Sequence, residues 1–168
     1  YMITSPDFLD SLTNSNNQPD AAFFALYNLV DRIIGVRLFT LTTFDIANGT
    51  AKRVYSNMPK EYPVSGTKPI EQSAWTNTVI DNHKNFVANN LDEISRVFND
   101  FELIESLGCK SVVNVPIVVG DNLLGTVNCL HRENYYTADR VEKFDNIKLA
   151  AITCFLLHLL GNNSGEQI

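Results

Sequence analysis

The sequence predicts an α+β fold, an α/β sandwich with helices layered on a central antiparallel sheet. Two pairs of β-rich segments, 36–44 with 50–56 and 111–119 with 123–130, each flank a short turn, which makes them hairpins. Segments of helical period precede, separate and follow those hairpins. At 168 residues the chain fits one domain with a substantial core.

The elements follow in order. Residues 1–18 read as an arm with a helical turn over 6–12, then a polar linker, Asn14 to Gln18. Pro19 opens the first major helix, whose Phe23, Leu26, Tyr27, Val30, Ile33 and Ile34 recur at helical spacing until Gly35. The first hairpin turns at Asn48-Gly49, and alternation along its second strand sets Ala51, Arg53 and Tyr55 on one face. Residues 57–69 hold three prolines and Gly66, which excludes a helix or a central strand. A helix is expected over 73–84, with Ala74, Trp75, Thr78 and Val79 on its buried side, then a short strand at 85–88. Two short helices, 91–98 and 101–107, break at Asn99-Asp100 and stop at Gly108. Gly120-Asp121-Asn122 punctuates the second hairpin. Thr137 is expected to cap one long helix, with Asp139 and Glu142 near its start, that runs to Leu160 and stops at Gly161. The domain proper is thus 19–161, and 162–168 is a polar tail expected to be disordered.

Charge narrows the partners. The net charge of −6 and thirteen scattered basic residues disfavour nucleic acid and membrane surfaces, both of which need clustered Lys and Arg. The longest apolar run, near 152–160, is too short to span a bilayer, and no signal peptide is read at the start, so the cytoplasm is expected. Cys109, Cys129 and Cys154 form no CxxC pair and no zinc pattern with His83, His131 or His158, so no metal is expected.

Residues 108–131, which include Val115-Pro116-Ile117 and Leu124-Gly125-Thr126-Val127, resemble the strand-turn-strand signature of GAF domains. The physical logic fits: Pro116 sits where a sheet can spare an amide hydrogen, and Gly125 admits a close neighbour. The stretch from Thr67 to Asn90 also resembles the family's helix, short strand and polar turn, and the resemblance extends over about 20–160. It implies a sheet of five to six antiparallel strands. The long N- and C-terminal helices would lie on one face, with short helices and loops over a ligand pocket on the other. The family senses cyclic nucleotides, bilins, haem, nitrate and amino-acid derivatives, and fold does not choose among them.

Three subfamily readings fit poorly. Relatives that reduce free methionine sulfoxide place a reactive cysteine about eleven residues before the motif proline, where this chain has Glu105; Cys109 lies seven before Pro116, after a helix C-terminus, which does not activate a thiol. The Cys-His pair that bilin-binding relatives use falls at Asn99-Asp100. The motif that cyclic-nucleotide binders carry after the last strand is replaced by 130–136.

Candidate ligand-binding residues are Arg53, Tyr55, Lys68, Trp75, Phe98, Phe101, Ser111, Asn114 and Asn128. Arg53, Tyr55 and Lys68 would read a carboxylate or phosphate, or else the two cations are simply solvated. Trp75 is either a ligand platform or core. Phe98 and Phe101 flank a break where a lid would hinge, or else pack inward, and Ser111 stands at the mouth of its strand. Asn114 and Asn128 interrupt apolar strands and need partners. A two-residue turn would put them on opposite faces and a three-residue loop on the same face, and the sequence leaves that register open.

No catalytic residue and no cofactor is assigned. The expected function is a non-enzymatic sensory or regulatory domain that binds an unidentified small molecule. Ile152, Phe155, Leu156, Leu157, Leu159 and Leu160 make the last helix apolar nearly all round, which predicts a homodimer through the first and last helices, or else cover by the N-terminal arm. The alternatives are a dimerisation module with a vestigial pocket and a thiol-dependent reductase acting through Cys109.

Overall fold

The computed structural model describes residues 6–14, 16–64 and 66–163. Six strands form one antiparallel sheet: β1 (Leu38–Asp45), β2 (Thr50–Ser56), β3 (Lys68–Pro69), β4 (Phe86–Ala88), β5 (Ser111–Val119) and β6 (Asn122–His131). Their spatial order is β3-β2-β1-β6-β5-β4, so the two hairpins stand side by side along β1 and β6. Pro69 is tolerated in β3 because that strand is the sheet edge. Pro116 lies beyond the end of β4, where β5 has itself become an edge.

The helices are α1 (Pro6–Thr13), α2 (Asp20–Ile33), α3 (Ala74–Thr76), α4 (Leu91–Ser95), α5 (Phe101–Ser106), α6 (Ala138–Glu142) and α7 (Lys148–Asn163). On one face of the sheet, Phe8 of α1, Phe23 and Leu26 of α2, and Cys154 and Phe155 of α7 pack on Phe39, Leu41, Val113, Val115 and Val127. On the other, Ile94 of α4 and Ile104 of α5 meet Leu38, Val112 and Leu130 in a smaller cluster. The sandwich is the expected one. The arm is better anchored than its polar linker suggests, since Phe8 is only 1% exposed. Residues 1–5 and the tail from 164 onward fall outside the described residues.

Three expectations need correction. The last helix is not continuous from Thr137, which makes no side-chain capping bond. It breaks through a 3-10 turn at Lys143–Asn146 and bends by 54°. The bend buries Phe144 and Ile147 completely, and two such side chains together stabilise by roughly 3–6 kcal/mol, more than the lost helical bonds cost. The helix then passes through Gly161 to Asn163, because a helical glycine costs only about 1 kcal/mol. Within 73–84, α3 opens into a π-helical turn (Asn77–Asp81), which rotates the buried side to Thr76, Val79 and Ile80 and leaves Ala74 exposed.

Two β-bulges set the faces of the sheet. The β5–β6 turn is the two-residue Gly120-Asp121, with Gly120 at φ 60°. Ile117 faces Gly125 while Val118 faces Leu123, so Leu124 is an extra residue. That bulge shifts the register by one and brings Asn114 directly opposite Asn128, on one face, despite the short turn. In β2, Leu41 pairs with Tyr55 and Thr42 with Arg53, so Val54 is the extra residue. Arg53 and Tyr55 therefore point to opposite faces, contrary to simple alternation. Gly125 has the predicted close neighbours, since a Cβ there would collide with the Phe155 ring and the Thr42 carbonyl.

Candidate functional site

Between the sheet and the roof formed by α3 to α5 lies a cavity of about 370 Å³. That size falls within the range of small-molecule sites. Leu38, Phe44, Trp75, Val97, Phe98, Ile104, Val112 and Leu130 give it apolar walls. Its floor is polar, because Thr40, Thr42, Asn114, Thr126 and Asn128 occupy the face-out positions of β1, β5 and β6.

The floor is wired as a relay. The Trp75 indole Nε1 donates to Asn114 Oδ1 at 2.9 Å, and Asn114 Nδ2 donates to Asn128 Oδ1 at 2.7 Å. Asn128 Nδ2 then donates to Thr40 Oγ1 at 3.2 Å and Thr42 Oγ1 at 3.1 Å. Thr40, Asn128 and Asn114 stand in one cross-strand row, and Arg53, Thr42 and Thr126 in the next. Among the described residues the Thr126 hydroxyl, on a residue 0% exposed, has no hydrogen-bond partner, and neither has Arg53 Nε.

One wall is charged. Arg53 Nη1 donates to the Pro63 carbonyl at 3.0 Å, and its guanidinium lies 4.7 Å from the centre of the Tyr62 ring. The Tyr62 hydroxyl donates to Asp100 Oδ2 at 2.5 Å, which ties the 57–67 loop to the roof. Burial pulls the Arg53 pKa down from its ordinary value, while Tyr62 and Asp100 hold it up. Burial and the Asp100 bond push the Tyr62 phenol far up, so it stays a donor. Lys68 and Glu71 stand exposed at the mouth.

Of the predicted site residues, Arg53, Lys68, Trp75, Phe98, Asn114 and Asn128 line the cavity. Three do not. The β2 bulge turns Tyr55 into the main core against Phe23 and Phe39, where burial raises its phenol pKa to about 12. Phe101 packs into the smaller cluster. Ser111 is fully buried and donates to the His131 and Arg132 carbonyls, at 3.2 and 2.7 Å. Thr40, Thr42, Thr126, Tyr62 and Asp100 went unassigned in the sequence. The alternation Thr40-Leu41-Thr42 and Thr126-Val127-Asn128 was the signal for the floor.

No cysteine or histidine is among the described residues that line the cavity. Cys109 is 0% exposed, and burial pushes its thiol to about 11, the opposite of an activated thiolate. Among the described residues no group of three or more His, Cys, Asp or Glu is placed to hold a metal ion. No single helix among them is long and apolar enough to cross a membrane.

A six-stranded antiparallel sheet with its long helices on one face and a roofed cavity on the other defines a class of small α+β domains. The chain belongs to the GAF domain family, which it matches over residues 19–153. No curated protein matches it in sequence. Among solved structures it is similar to the GAF domain of a two-component sensor histidine kinase from Bacillus halodurans, with TM-score 0.67 and 17% identity over 86% of this chain and 98% of that one. It is similar to a GAF domain/HD domain protein from Geobacter sulfurreducens, with TM-score 0.66 and 12% identity over 84% and 95%. The phycocyanobilin-bound GAF domain of a cyanobacterial phytochrome gives TM-score 0.65 and 15% identity over 90% and 92%. At these identities the likeness establishes the fold.

Proposed function

We propose that this domain is a non-enzymatic sensory module whose roofed cavity holds a small organic molecule. The observation that carries this reading is the Thr126 hydroxyl, fully buried on the cavity floor with no protein partner. Such a group costs stability unless something bonds it. Sensor-kinase and phytochrome relatives support signalling as the context. A bilin fits poorly: a covalently held one needs a cysteine, and none of the described lining residues is one. The buried Cys109 argues against thiol chemistry. Three free, buried thiols suit a reducing compartment, and we place the domain in the cytoplasm.

The test is native mass spectrometry of freshly purified protein, followed by a thermal-shift screen of organic acids, amino acids and nucleosides. A ligand at 100 times its dissociation constant adds about 2.7 kcal/mol. For a domain of this size the midpoint should rise by roughly 5–10 °C. A clean apo mass with no shift across the screen would defeat the reading.

A separate observation favours dimerisation as well. Leu149 and Leu156, two turns apart on α7, are 60% and 43% exposed, and Phe24 on the adjoining α2 is 56% exposed. A second copy of the chain meeting α2 and α7 would cover them. Sedimentation velocity should then give a dimer that Leu156→Glu converts to monomer.

A further inference from the structure

We infer that the cavity ligand is a small organic acid whose carboxylate sits on the Arg53–Thr42–Thr126 row and whose apolar body rests against Trp75 and Phe98. This rests on the proposed sensor reading and narrows it to a ligand class.

The inference follows from the direction of the relay. An indole N–H can only donate, so Trp75 fixes the Asn114 amide with its oxygen toward the ring. The Asn114 nitrogen must then face Asn128, whose oxygen turns to meet it. The Asn128 nitrogen is left facing Thr40 and Thr42, and it spends both hydrogens on their oxygens. Each threonine has therefore accepted a bond, and its own hydroxyl proton has no acceptor among the described residues. The partnerless Thr126 hydroxyl and Arg53 Nε–H stand beside them in the sheet. Neighbouring strands lie about 4.8 Å apart, so an acceptor set between Thr42 and Thr126 is within hydrogen-bond reach of both hydroxyls, with Arg53 on the next strand.

Unspent hydroxyl protons beside the charged Arg53 guanidinium favour an anionic acceptor head, a carboxylate, over a neutral amide. The lining cations Arg53 and Lys68 equal the lining anions Glu71 and Asp100 in number, a balance that disfavours a phosphate dianion more than a monoanion. The volume of about 370 Å³ and the aromatic walls favour a compact apolar body.

The experiment is calorimetric titration of the full chain with butyrate, 4-methyl-2-oxopentanoate, benzoate, phenylacetate and indole-3-acetate. Each is paired with its amide, and phenyl phosphate is included. At least one acid should bind roughly tenfold or more tightly than its amide, since an amide carries no charge to meet the Arg53 guanidinium. Thr126→Val should weaken that acid about tenfold while the apo protein keeps or raises its midpoint, which separates lost binding from lost folding. Trp75→Phe keeps the ring but frees the relay to reverse, so the acid-over-amide ratio should fall toward one. If amides or phenyl phosphate bind and acids do not, the carboxylate assignment is overturned while the sensor reading stands. If nothing of any class binds, both fall.

Discussion

On the helix-covered face of the sheet, Phe39, Leu41, Val113, Val115, Val127 and Cys129 interlock with α2 and α7. On the opposite face the same three strands present Thr40, Thr42, Asn114, Thr126 and Asn128. Strand alternation produces both sets, so a change on one face leaves the other's positions intact. The first face spends every side chain on packing. The second leaves the Thr126 hydroxyl and the Arg53 Nε without a partner among the described residues. On the proposed reading, stability and ligand recognition are separated across the thickness of one sheet, and mutations should sort by face.

The largest effect is expected on the packed face. Phe39 is fully buried and its ring meets Tyr27 and Tyr55 at 5.6 and 5.9 Å between centroids. Phe39→Ala should cost about 3–5 kcal/mol in chemical denaturation. A loss under 1 kcal/mol would mean that this face is not the main core. Gly125 lies on the boundary, because its missing side chain admits both the Phe155 ring and the Thr42 carbonyl. Gly125→Ala should cost about 1–3 kcal/mol by overpacking. On the cavity face, Asn128→Ala cuts the relay at its centre and strands the Asn114 N–H; about 1–3 kcal/mol should be lost. That loss should come with weakened ligand binding, which Phe39→Ala should not share in whatever fraction remains folded.

What the sequence made legible follows the same division. Asn48-Gly49 and Gly120-Asp121 mark both hairpins because few residues accept their turn geometry, and Gly120 indeed sits at φ 60°. Pro116 and Gly125 mark an edge and a close approach for equally local reasons. The bulges left no such mark. Val54 and Leu124 are ordinary strand residues, and only the folded register reveals each as the extra one. Yet those two residues decide that Arg53 enters the cavity, that Tyr55 leaves it, and that Asn114 meets Asn128. Alternation could have put Thr126 on the floor, but its lack of a partner was illegible, because that exists only in three dimensions.

The thiols report on the two faces through pH. Burial raises Cys154, on the packed face, to about 12 and Cys109, in the smaller cluster beneath the roof, to about 11, from an ordinary value near 9. A thiol held protonated by the fold contributes stability that is complete below pH 9 and is lost as pH rises through its folded pKa. Denaturation midpoints should therefore be insensitive to these thiols at neutral pH and fall between about pH 9 and 12. Labelling of the native protein by a thiol reagent should modify Cys109 before Cys129 or Cys154. The reverse order would place the weaker packing on the α7 face.

The smallest effect has the opposite sign, and for that reason it discriminates best. Thr126 is 0% exposed and its hydroxyl has no partner, so the apo protein carries the desolvation cost of a polar group that gains nothing in return. Valine has nearly the same shape. Thr126→Val should leave the apo protein unchanged or stabilise it by about 1 kcal/mol, a rise of roughly 2–4 °C in midpoint. A structural hydroxyl would behave otherwise, because its removal would strand a donor or acceptor elsewhere and lower the midpoint. A residue that the fold is better without, at the centre of a cavity floor, is what a binding site built at the expense of stability requires. If Thr126→Val instead destabilises by more than 1 kcal/mol, the hydroxyl belongs to the floor's own framework and the two faces differ less than their side chains suggest.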